Sequence, residues 1–133
     1  MPILSRMSKQ KLGTCDIRLQ RIFDRAIQEL DCTIISGHRD QEEQNELERN
    51  GKSKLKFPHS KHNKTPSVAV DAAPYPIDWN DRERATLFAG FIMGVAFQLG
   101  IPIRWGGDWD GDWQVRDNVF DDLWHFELIE GID

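Results

Sequence analysis

Cysteine is scarce: only Cys15 and Cys32 occur in 133 residues, and they form neither a C-x-x-C pair nor part of a larger set. That excludes a thiolate zinc centre and a disulfide-stapled fold, and the two read as small buried apolar residues. No apolar run reaches the roughly 20 residues needed to cross a bilayer. The longest, Ala85 to Phe97, is broken by Gly90 and Gly94 and reads as a buried helix. The opening Met1-Pro2-Ile3-Leu4-Ser5-Arg6 lacks the apolar core of a signal peptide, so synthesis in a cytoplasm without stable membrane insertion is expected. Positive charge is not in excess either. Seventeen basic against 22 acidic residues leave a formal charge of −5, which argues against a nucleic-acid binder. With no repeat, low-complexity tract or linker, residues 1–133 read as a single domain long enough to build its own core.

Asp16 is a candidate N-cap for a helix in which Leu19, Ile22, Phe23, Ala26, Ile27 and Leu30 form one apolar stripe. Cys32 to Ser36 is short and β-branched and reads as a strand, delivering Gly37-His38-Arg39 to a turn. Asp40 and Glu43 are spaced as a capping box for a polar, mostly solvated helix that stops near Asn50-Gly51. From Gly51 to Ser67 five lysines, two prolines and two histidines without apolar periodicity mark a long surface loop. Val68 to Ala72 alternates as a strand, with Ala69 and Asp71 sharing a face. Asn80 and Glu83 predict the start of a helix ending at Leu99-Gly100, apolar almost all round and central to the core. Ile101 to Trp105 and Leu123 to Ile129 read as further strands, and in the latter His125 and Glu127 share a face. The expected fold is α+β, with helices packed against a small, mainly antiparallel sheet.

The chain has four histidines, His38, His59, His62 and His125. His62 precedes the strand ending in Asp71, and His125 follows Asp122 by three residues. Two imidazoles and one carboxylate match the protein ligands of a catalytic zinc site whose fourth position stays open, with Asp122 as candidate base. Arg39 is the candidate cation for charge developing on a carbonyl oxygen, a surface salt bridge being its plain alternative. His59 competes with His62, and Asp121 with Asp122. Glu127 either orients the His125 ring or is an ordinary exposed carboxylate. Gln44 reads as a structural helix residue more than a substrate contact. Asp108, Asp110 and Asp112 are spaced like the start of a calcium loop, but no glutamate follows at the required distance, so a solvated acidic loop is the default. Trp105, Trp109 and Trp113 are candidates for the core or for a substrate wall.

Five blocks resemble one family. Ser60-Lys61-His62, Ala69-Val70-Asp71 and Asp122-Leu123-Trp124-His125-Phe126-Glu127 look like the S-x-H, A-x-D and [DE]-x-x-H blocks of the zinc D-Ala-D-Ala carboxypeptidase and dipeptidase superfamily. Ser36-Gly37-His38-Arg39 and Arg104-Trp105-Gly106-Gly107-Asp108-Trp109 resemble turns of its bacteriophage endolysin branch, the L-alanyl-D-glutamate peptidases. One departure is the interval from His62 to Asp71, nine positions where seven is usual; a longer 63–67 loop accounts for it.

The resemblance implies a hedgehog/D,D-peptidase-like fold, Zn2+ held by His62, Asp71 and His125, Asp122 as general base and Arg39 on the substrate carbonyl or oxyanion. It implies a monomeric phage lysin made in the host cytoplasm that cuts peptidoglycan stem peptides between L-Ala and D-Glu. A lysin without a separate wall-binding domain would depend on a membrane-permeabilising lysis protein. Two alternatives stay open: a D,D-carboxypeptidase or dipeptidase, and a non-catalytic metal-dependent wall-binding or phage structural module.

Overall fold

A computed structural model describes residues 2–130; Met1 and residues 131–133 of the expected domain lie outside the described residues. The elements run α1 (Arg6–Leu12), α2 (Ile17–Ala26), β1 (Cys32–Ser36), α3 (Gln41–Arg49), a 3-10 turn (Lys61–Asn63), β2 (Ala69–Pro74), α4 (Arg82–Leu99), β3 (Ile103–Gly106) and β4 (Asp122–Leu128). The four strands form one sheet in the order β1-β2-β4-β3, and every neighbouring pair is antiparallel. The α+β expectation holds.

Strand alternation sorts the two faces of the sheet. Val70 and Ala72 of β2, with Phe126 and Leu128 of β4, join the core beneath α2 and α4. Phe126 sits at its centre, edge-on to Phe23 and to Phe88 with ring centroids 6.1 Å away in each case. The intervening residues, Asp71, His125 and Glu127, project from the opposite face. The register Asp71↔His125 and Ala69↔Glu127 places them side by side.

The helix ends follow their caps. Asp16 accepts from the Arg18 amide at α2, and the Asp40/Glu43 capping box is present at α3. At α4 the cap is Asp81, one residue past the expected Asn80, and Gly100 closes the helix in the left-handed region at φ 73°. Buried Ala85, Phe88, Ala89, Ile92, Val95 and Ala96 occupy one face of α4, but Leu87 and Phe97 point outward, so its all-round apolarity does not mean burial on every side. The helix α1 was not expected. Its sequence is polar, yet Ser8 is buried and its Oγ accepts from the Ile34 amide at 3.0 Å, satisfying a donor on the edge strand β1.

Candidate metal centre and cleft

Three lone-pair atoms converge on the open face of the sheet. His62 Nε2 lies 3.2 Å from Asp71 Oδ1 and 3.3 Å from His125 Nδ1, and His125 Nδ1 lies 3.1 Å from the same Asp71 oxygen. Each ring is oriented through its other nitrogen. His62 Nδ1 donates to the Gly37 carbonyl at 2.7 Å, and His125 Nε2 donates to Glu127 Oε1 at 2.9 Å. While both rings are neutral, those tautomers leave the three facing atoms as acceptors, a set that a cation can occupy in place of a proton. Ligand bonds of about 2.0–2.1 Å in a tetrahedral site give edges of roughly 3.3–3.4 Å, close to the separations found. The residues present therefore fit a metal ion, and this group could hold one.

Local structure explains how each ligand arrives. Asp71 and His125 are cross-strand partners on β2 and β4. His62 comes from the 3-10 turn, where Ser60 Oγ accepts from the His62 amide and the Asn63 side chain returns to the Ser60 amide. The His62 carbonyl accepts from the Arg39 amide at 2.9 Å, tying this turn to the end of β1. Thus the nine-residue interval is accommodated, and His62 rather than His59 joins the ligand group. His59 instead lines the adjoining cleft.

Burial alone would raise the Asp71 carboxyl pKa, but bonds from His125 and His62 outweigh it and hold that group well below the usual carboxylate range. Burial would likewise lower His125, yet its bonds to Asp71 and Glu127 push it up to about 9, so a cation at this point competes with a proton on Nδ1. Asp122 moves upward because burial disfavours its charge, an effect that the nearby His125 partly offsets.

The other candidate residues lie as follows around this centre. Asp122 Oδ2 is 3.8 Å from His125 Nδ1, whereas Asp121 is engaged by Arg82 at 2.8 Å. Arg39 Nη2 reaches Asp71 Oδ2 at 2.8 Å and Arg39 Nε donates to Ser36 Oγ at 3.1 Å, so this arginine backs the Asp71 carboxylate directly. Glu127 is buried and takes Arg104 at 2.8 Å and Lys61 at 3.2 Å besides His125. Fully buried Gln44 donates to Ser53 Oγ and the Leu55 carbonyl, anchoring the long loop from inside a helix expected to be mostly solvated.

A cleft of about 480 Å³ opens over the centre, lined by these residues together with Trp109, Phe120 and the 52–55 loop. Trp105 packs in the core and exposed Trp113 lies away from the cleft. Cys15 and Cys32 are buried free thiols whose pKa values burial pushes up to about 11 and about 12, as expected of inert packing residues. Oxygens of Asp108, Asp110 and Asp112 lie within 4.8 Å of one another and could also hold a cation. In the structure they accept from amides of their own loop, including Asp112, Trp113 and Gln114.

The sequence reading missed Lys61, Arg104 and the Gly37 carbonyl as parts of the site. Alternation on β3 puts Arg104 opposite buried Ile103 and Trp105, a readable signal, but its partner Glu127 follows only from the pairing of β3 with β4.

Known proteins resemble this chain in sequence and in fold. A family model described as phage L-alanyl-D-glutamate peptidase matches residues 3–129. The L-alanyl-D-glutamate peptidase of Escherichia phage T5 is 33% identical over 117 residues, covering 84% of this chain and 85% of that protein. The crystal structure of the Serratia marcescens L-Ala D-Glu endopeptidase ChiX superposes with a TM-score of 0.74 at 24% identity, over 96% of this chain and 90% of the other.

Proposed function

This chain belongs to the phage L-alanyl-D-glutamate peptidase family, and we propose that it hydrolyses the L-Ala–D-Glu bond of peptidoglycan stem peptides with a zinc ion at His62, Asp71 and His125. The observation carrying the metal is the convergence of His62 Nε2, His125 Nδ1 and one Asp71 oxygen at 3.1–3.3 Å from one another. When bound, zinc supplies Lewis acidity, polarising a carbonyl oxygen and making water acidic near neutral pH.

The chain's own residues supply the rest. Asp122 stands beside His125 at the cleft, takes a proton from the attacking water and returns it to the departing glutamate amine. Arg39 neutralises the outer oxygen of Asp71, which leaves Oδ1 for the metal, and brings positive charge to the cleft where the carbonyl oxygen becomes anionic. Glu127 holds the His125 ring. The family match favours this bond over a D,D-carboxypeptidase or dipeptidase reaction, and a base beside the ligands favours turnover over a wall-binding module.

The same reading makes the protein a monomeric lysin that reaches the wall from the host cytoplasm through a membrane-permeabilising partner. No helix among the described residues is long and apolar enough to cross a membrane. Digestion of purified sacculi should release new amino-terminal glutamate. New termini on another residue, or none, would reject the proposed reaction.

A further inference from the structure

The formal charge of the chain is −5, yet five cationic and four carboxylate side chains line the cleft. Of those carboxylates, Asp121 is already paired with Arg82, which lies outside the cleft. Two of the five cations meet at Glu127. One buried carboxylate there faces both Arg104 Nη2 at 2.8 Å and Lys61 Nζ at 3.2 Å, with the His125 imidazole on its other oxygen.

Neither cation is exhausted by this contact. The Arg104 guanidinium lies over the Trp109 ring, 5.6 Å from its centroid. Its Nε is the one buried side-chain nitrogen or oxygen without a partner among the described residues. Its Nη1 makes no hydrogen bond among them, and the side chain is 40% exposed. Lys61 directs one of its donors to Glu127 and is 37% exposed. Two fixed cations sharing one anion, one carboxylate away from a metal-ligating imidazole, form a site for a second anion.

The substrate of the proposed reaction carries such a group. Of the two residues flanking the scissile bond, alanine is uncharged. Glutamate has two carboxyl groups, so whichever continues the peptide, the other remains free. We infer that Arg104 and Lys61 form a carboxylate subsite that binds the free carboxylate of the D-glutamyl residue and selects it over an uncharged residue there. The inference rests on the proposed L-Ala–D-Glu cleavage and deepens it. The Trp109 face keeps the Arg104 fork in place, while Glu127 sets its distance from His125.

The test uses two synthetic stem peptides that differ only in this carboxylate, free in one and amidated in the other, with every other carboxylate amidated in both. The metal-loaded full chain should cleave the acid about tenfold better in kcat/KM, mainly through KM, the worth of one charge-assisted hydrogen bond. Arg104→Gln and Lys61→Met should each bring that ratio toward one while retaining bound zinc. If the two cations serve only to hold Glu127, both peptides will suffer equally and the ratio will not change, which overturns the inference. Equal cleavage of both peptides by the wild type overturns it without any variant and leaves the proposed reaction standing. Cleavage of neither peptide rejects that reaction and the subsite with it.

Discussion

Replacing Gly37 with alanine should damage the metal centre without touching a ligand. A Cβ built there would lie 2.4 Å from the Lys11 carbonyl oxygen, 2.4 Å from Thr14 Oγ1 and 3.0 Å from Cys15 Sγ. Ordinary contact begins at 3.4 Å, so the chain must yield by about 1 Å. Lys11 O belongs to the last turn of α1, and Thr14 Oγ1 is held between that oxygen and the His38 amide, so neither neighbour gives way easily. The displaced element is therefore the Gly37 peptide, whose carbonyl receives His62 Nδ1 at 2.7 Å. A shift of about 1 Å would stretch this bond to about 3.7 Å, where little of it survives. Overpacking should cost about 1–3 kcal/mol of stability, and loss of the ring's orienting partner roughly 10–100-fold in zinc affinity. Urea unfolding measures the first, and zinc competition against a chromogenic chelator measures the second. A variant with the wild-type midpoint and affinity refutes the packing argument. Reduced stability with unchanged affinity refutes the link from Gly37 to His62.

Asp122→Asn should retain zinc while turnover falls by about 10²–10⁴-fold, because the substitution removes a base and not a ligand; equal loss of metal would place Asp122 in the coordination sphere. Chelation should abolish peptide hydrolysis and lower the thermal midpoint, since binding to the folded state alone stabilises it, and a calorimetric midpoint indifferent to the chelator would argue against a bound ion. Asp16→Ala should cost about 1 kcal/mol at neutral pH through loss of the α2 cap. Arg18 bonding holds Asp16 below the ordinary carboxyl range. The charge-dependent part of this contribution is therefore complete above the unfolded value near pH ~4 and disappears as pH falls through the lower folded value. Urea titrations in neutral and acidic buffer should show the gap narrowing, and an undiminished gap would show that the charge on Asp16 contributes nothing.

Local signals carried much of this architecture. The α2 stripe, the Asp40/Glu43 capping box, the alternation around Asp71 and His125 and the stop at Gly100 are short-range patterns, and the structure contains them all. The helix α1 escaped notice because its stability comes from packing against β1, with Ser8 and Leu12 as its buried residues and no apolar stripe to read. Burial of Gln44 was equally hidden, since its partners Ser53 and Leu55 lie beyond the helix in an irregular loop. Within the site, residue type suggested His62, Asp71, His125 and Asp122, and their convergence follows from sheet pairing. The D-x-x-H spacing favoured Asp122 over Asp121, and the distant Arg82 that engages Asp121 was not readable from it. The roles of Arg104 and Lys61 depend on meeting at Glu127, three chain segments away from one another.

All three ligand-bearing segments belong to the sheet or to the turn fastened against it, whereas the cleft borders 52–55 and 120–121 lie outside every helix and strand. Arg104 on β3 and Lys61 in the turn beside His62 share that frame, so only the rim of the cleft is carried by irregular chain. Either border could therefore be exchanged for that of a relative while the sheet and its turn stay as they are.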